Sequence, residues 1–148
     1  MTTTTSRIDV EQAAPELYRA MLRLDGAVGK SGLDPQLQDL LKFRVAQMNG
    51  CAYCMDMHGR DAVTGGERPE RLYVVAGWRE AGDLFDERER AALALLESIT
   101  RLGDHGVPDD VYDAAAEEFS ETELGALIFL AMTVNAWTRL GVATKMSP

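Results

Sequence analysis

Apolar positions recur at helical spacing along most of the chain, and no stretch alternates apolar and polar residues in the manner of a β-strand. Asp34-Pro35 reads as an N-cap followed by proline at the first helical position. Leu37, Leu40, Leu41, Val45 and Met48 then fall on one face of the helix it opens. Asn49-Gly50 ends that helix, because both residues accept left-handed backbone geometry. A second helix is expected to begin at Cys51 and run to about residue 64, where Gly65-Gly66 breaks it. Pro69 starts a shorter helical piece through Leu72, Val75 and Trp78. Asp86 with Glu89, and Ser120 with Glu123, have the spacing of capping boxes; Phe119 and Leu124 stand where a hydrophobic staple would hold the second. Between these two signals, residues 103–108 read as a loop and 109–118 as a helix with a solvated acidic face. The last helix should run to about Ala143 and is apolar on most sides, which assigns it to the core with a surplus for subunit contact.

The pattern therefore predicts an all-α fold. The length of 148 residues suits one domain, taken as residues 11–148 behind a flexible tail at 1–10. The net charge of −9 would repel a phosphate backbone or an anionic membrane surface, so neither nucleic acid nor membrane is an expected partner. The most apolar run, 124–134, is too short to cross a bilayer. The first six residues have no basic or apolar leader character, so the expected compartment is the cytoplasm. In that compartment a pair of cysteines is more often redox-active, catalytic or metal-bound than a permanent structural bridge.

Two cysteines are present, three positions apart, in Cys51-Ala-Tyr-Cys54-Met-Asp-Met-His58. With each helical residue advancing by about 100°, Cys51, Cys54 and His58 share one face within roughly 60° of arc, and Cys54 and His58 are i,i+4 neighbours. A helix N-terminus and a proton-accepting histidine both favour the thiolate, which is the nucleophilic form. A second cysteine one turn away can close a disulfide on an oxidised partner. The same three residues could instead hold zinc with a carboxylate as fourth ligand, or the cysteines could be small buried apolar groups. The pairing with a histidine on the same face favours redox chemistry, with no cofactor or metal expected.

Asp39 lies on the preceding helix, on a stripe with Phe43 and Ala46. If buried there, its proton affinity should rise and it could relay protons to His58; otherwise it is a solvated surface acid. His105 reads as a loop residue. Trp78-Arg79-Glu80 and the segment 135–139 read as core packing with buried polar anchors.

The stretch from Leu40 to His58 closely resembles the alkylhydroperoxidase AhpD core within the carboxymuconolactone decarboxylase-like family. The resemblance continues through Arg71-Leu-Tyr73, Trp78-Arg-Glu80, Asp86-Glu-Arg-Glu-Arg90 and Asn135-Ala-Trp137. It implies a helical-hairpin fold assembled as a homo-oligomer, a trimer or hexamer, and a thiol peroxidase acting on a hydroperoxide with an external dithiol reductant. Carried over by position, it implies that Cys54 is the peroxidatic thiol, Cys51 the resolving one and His58 the proton-relay histidine. The family's glutamate twelve residues before the first cysteine is here Asp39, one methylene shorter. Tyr53 stands where the peroxidases carry a histidine, and it is a weaker acid–base group at neutral pH. Lactone decarboxylases of the family lack the cysteine pair. The alternatives that remain are a disulfide reductase or redox sensor with little peroxide turnover, and a helical oligomer without enzymatic activity.

Overall fold

A computed structural model describes residues 6–148, and no strand occurs among them. The helices are α1 (Val10–Ala13), α2 (Pro15–Gly29), α3 (Pro35–Met48), α4 (Ala52–Thr64), α5 (Pro69–Val74), α6 (Glu87–Thr100), α7 (Asp109–Glu118) and α8 (Glu121–Thr144), with short 3-10 turns at Val75–Glu80 and Gly82–Leu84. The all-α expectation holds. Local chemistry sets most boundaries. The Asp34 carboxylate accepts the Leu37 N–H at 2.9 Å to start α3. Both capping boxes form, Asp86 with Glu89 on α6 and Ser120 with Glu123 on α8.

Helices α3 and α4 form an antiparallel hairpin. Gly50, at φ +64°, supplies the left-handed turn between them, and Gln36 donates from the start of α3 to the Gly65 carbonyl at the end of α4. The main core fills the space between this hairpin, α6 and α8. Leu40, Leu41, Val45, Leu93, Leu96, Leu127 and Leu130 are all but inaccessible. Helix α8 has 24 residues and contacts α2, α3, α4, α6 and α7. It is longer than its apolar run suggests and is long and apolar enough to cross a membrane, yet it is the central packing helix. The indole of buried Trp78 donates to Glu97, which also accepts from Arg44 and Arg79, so this segment is a polar anchor under the core.

Three features differ from the sequence reading. Helix α2 was not anticipated. It opens with proline at N1, but Ala14 at the N-cap provides no side-chain cap and only Val28 of the helix is buried, so the signals that mark the other helices are missing. The piece from Pro69 changes from α-helix to 3-10 turn at Val75, with non-helical backbone at Gly77. Of the expected tail, residues 1–5 lie outside the described residues. Beyond them, the Arg7 N–H and the Ser6 hydroxyl donate to the Thr144 carbonyl at 2.7 and 3.1 Å, so this stretch is tied to the end of α8.

Candidate active site

The turn at Gly50 delivers Cys51 in extended geometry as the N-cap of α4, one step before the helical turn in which it was expected. In that position its Sγ accepts the Cys54 N–H at 3.3 Å, as a capping oxygen would. Cys51 and Cys54 are joined by a disulfide, with Cα atoms 5.2 Å apart. Both are about 97% buried, packed with Ala46 of α3 in a small cluster apart from the main core.

Helix α8 forms the back of this cluster, and a polar chain fixes the turn against it. The Asn49 amide donates to Asn135 Oδ1 at 2.9 Å and to the Thr138 hydroxyl at 2.8 Å, while Asn135 donates to Thr100 and to the Ala131 carbonyl. Each member sits near the core and has its partners, so the chain can set the register of the turn at little desolvation cost.

In front of the disulfide lies a cavity of about 450 Å³. Cys54 is among its lining residues; Cys51 is not. From α4 come Tyr53, Met57 and His58, from α3 Lys42, from α2 Tyr18 and Leu22, and from α8 Val134, Trp137 and Leu140. Tyr18 and Trp137 meet edge to face, with ring centroids 5.4 Å apart. The segment tied to Thr144 closes one side through Ile8 and Val10. The walls are thus mostly apolar and aromatic, with Asp9, Glu11 and Asp25 also on the lining and Lys42 as its one lysine or arginine among the described residues.

His58 is largely buried, and its pKa is pushed down to about 4. Burial is the main cause and the Lys42 charge adds to it, against a smaller opposing pull from Asp61. At neutral pH the ring is therefore an uncharged acceptor. It makes no side-chain hydrogen bond among the described residues, so Cys54 and His58 share a wall without yet sharing a proton. Asp39 does not line the cavity. Its carboxylate lies beside Gly65 at the far end of α4 and 3.9 Å from the Lys42 ammonium. Burial raises its pKa, and Lys42 partly offsets that. Burial, with Glu11, Tyr53 and Asp9 nearby, raises the Tyr18 pKa, so the phenol stays protonated. His105 is exposed in a turn remote in sequence from these groups. Among the described residues, no group of three or more His, Cys, Asp or Glu is arranged to hold a metal ion.

The reading of the sequence did not find Lys42, Tyr18, Trp137 or the Ser6–Val10 wall as parts of this site. No local signal marks them, since they meet Cys54 only once α2, α3 and α8 are packed.

Comparison with known proteins bears on what this geometry belongs to. The model of the carboxymuconolactone decarboxylase family matches residues 15–98. The chain belongs to that family. Within the carboxymuconolactone decarboxylase family, it is 35% identical over 137 residues to the uncharacterized protein YdfG of Bacillus subtilis strain 168, covering 93% of this chain and 92% of YdfG. Its fold matches a crystal structure from Agrobacterium tumefaciens at TM-score 0.92 and 30% identity, over 97% of this chain and 99% of that one. That protein is of unknown function and provisionally assigned as the antioxidant defence protein AhpD. The fold also matches a variant of the debrominase Bmp8 in complex with 2,3,4-tribromopyrrole, at TM-score 0.80 and 16% identity, over 98% of this chain and 91% of Bmp8. The AhpD-like resemblance read from the cysteine motif is thereby supported at the level of family and fold. The fold by itself does not choose the reaction.

Proposed function

We propose that the protein is a thiol-dependent peroxidase acting on organic hydroperoxides through Cys54, Cys51 and His58. The observation that carries this reading is that Cys54 alone of the bonded pair faces the cavity, beside a neutral imidazole. In the reduced protein, Cys54 as thiolate attacks the distal oxygen of a hydroperoxide. The O–O bond breaks, the alkoxide leaves and takes a proton, and Cys54 becomes a sulfenic acid. His58 accepts the thiol proton and returns it to the leaving oxygen. The Cys51 thiol then displaces the sulfenic oxygen as water, which gives the disulfide. The mostly apolar walls favour a substrate with an apolar body over hydrogen peroxide.

Reduction starts at the same sulfur. A thiolate of an external dithiol reaches Cys54 Sγ from the cavity, while Cys51 lies off the cavity wall, packed against α8. Cys51 leaves as a thiolate at the N-terminus of α4, where the Cys54 N–H and the helix dipole stabilise the charge. The second thiol of the reductant then releases Cys54. Assembly as a homo-oligomer belongs to this proposal, and Phe129 and Met132 on the outer face of α8 provide exposed apolar surface for it.

The test is consumption of cumene hydroperoxide with dithiothreitol as reductant, wild type against Cys54→Ser. The expected result is loss of at least two orders of magnitude in the variant; equal rates would end the proposal. A second reading, exchange of thiols and disulfides with little peroxide turnover, draws on one observation: Asp39, the expected relay acid, lies outside the cavity. It requires that the protein reduce a model disulfide at a useful rate while leaving the hydroperoxide untouched.

A further inference from the structure

The proposed chemistry creates negative charge twice, on Cys54 before attack and on the alkoxide after it. The groups facing the cavity supply little to offset that charge. Asp9 and Glu11 come from the segment at α1, Asp25 and Tyr18 from α2, and Tyr53 and His58 from α4. The first three are acids, and the two tyrosines and the neutral ring carry no positive charge. Lys42, from α3, is the only lysine or arginine on the lining among the described residues. Its side chain is mostly withdrawn from solvent, and its ammonium lies 3.9 Å from the Asp39 carboxylate, one turn earlier on the same helix. Asp61, further along α4, influences both Asp39 and His58 but does not line the cavity.

We infer that Lys42 is a positioning residue of this site, whose ammonium, anchored by Asp39 on its far side, favours the anionic forms of Cys54 and of the alkoxide that departs from it. This rests on reading Cys54 as the reactive thiol. It also gives Asp39 a place in the site that a direct relay to His58 does not. The carboxylate holds the ammonium rather than the imidazole, and its own negative charge moderates what Lys42 can do. His58 is kept neutral by burial and adds no positive charge to the cavity, so Lys42 is the fixed cation that faces the charge formed there.

The test needs no peroxide. In a Cys51→Ser background Cys54 is the sole thiol, and its rate of alkylation by iodoacetamide across pH gives the midpoint of its ionisation. Lys42→Met should move that midpoint up by about half a unit to one unit. Lys42→Arg, which keeps the charge, should hold the midpoint close to its value with Lys42 in place. Asp39→Asn, which removes the opposing charge, should move the midpoint down. Circular dichroism of each variant ensures that only folded protein is scored, and Asp39→Asn carries the test alone if Lys42→Met fails to fold. An unmoved midpoint in Lys42→Met, or an upward one in Asp39→Asn, overturns the inference. If the midpoints move as expected but wild-type protein consumes no hydroperoxide, the peroxidase proposal fails and the role of Lys42 stands.

Discussion

Gly141 of α8 lies so close to Cys51 that a Cβ built on it would come 3.0 Å from the Cys51 sulfur, and 3.4 Å from that of Cys54. Alanine at this position gains up to about 1 kcal/mol of helix propensity but adds a methyl to a filled space, which costs about 1–3 kcal/mol. Crowding should win. Gly141→Ala is expected to lower stability of the oxidised protein by about 1–2 kcal/mol, read as a reduced urea midpoint. A midpoint at or above wild type would show that α8 can step back from the sulfurs.

The depressed pKa of His58 has a stability consequence whose sign is fixed. Its folded value is about 4, below the ordinary 6.5, so the unfolded chain binds more protons between those two values. The stability that the neutral ring preserves is fully present above about pH 6.5 and is lost as pH falls toward 4. The loss attributable to this residue should be on the order of 1–3 kcal/mol. Asp39, with a raised pKa, acts in the opposite sense, so total stability is a poor reporter. NMR titration of the imidazole in a His105→Gln background, where His58 is the sole histidine, isolates it. A midpoint near 6.5 would mean that the ring is solvated and cannot serve as a neutral acceptor buried beside Cys54.

The polar chain behind the disulfide makes a separate prediction. Replacing Asn135 with alanine removes the acceptor at 2.9 Å from Asn49 and the donor to Thr100. Each interrupted bond to a poorly solvated partner costs about 1–3 kcal/mol when the partner is left unsatisfied. Asn49 retains Thr138, so the expected total is at the lower end, about 1–2 kcal/mol. Thermal unfolding measures it, and a Tm within error of wild type would assign the chain no structural weight.

Access to Cys54 should depend on the segment that closes the cavity. Ile8 contributes to the wall yet is 50% exposed, and three hydrogen bonds from Ser6 and Arg7 to Thr144 and Ala143 hold the stretch in place. Few buried contacts oppose its opening. Deleting residues 1–8 is expected to speed alkylation of reduced Cys54 by roughly threefold or more with little loss of global stability. Mass spectrometry of timed samples reads the first quantity. Unchanged kinetics would mean that reagents reach the sulfur by another route.

What could be read directly from the sequence was what depends on neighbours in the chain. Asp34-Pro35, the two capping boxes and the left-handed Gly50 act over three or four residues, and each forms as its spacing implies. The cysteine pair was equally legible, because three residues of one helical turn bring the sulfurs together whatever else the chain does. Helix α2 was missed for want of a start signal, since Ala14 at its N-cap offers no side-chain acceptor of the kind that marks α3, α6 and α8. The cavity was beyond reach for a different reason. Tyr18 and Trp137 come from nearly opposite ends of the chain, and Lys42 gains its meaning only where α3 lies beside α4. Asp39 shows the limit of position-by-position transfer: the acid falls at the expected place in the sequence, but its nearest charged partner is a lysine and it stands off the cavity.

The bonds from Ser6 and Arg7 to Thr144 bring the two ends of the described fold to one doorway, and Met146 beyond α8 joins the lining there. A purification tag or fluorescent label fused close to Ser6 or Met146 would therefore sit beside the cavity proposed to take substrate and reductant. Kinetic work on this protein is best done with both fusions removed, and a reporter is better carried by an internal surface loop.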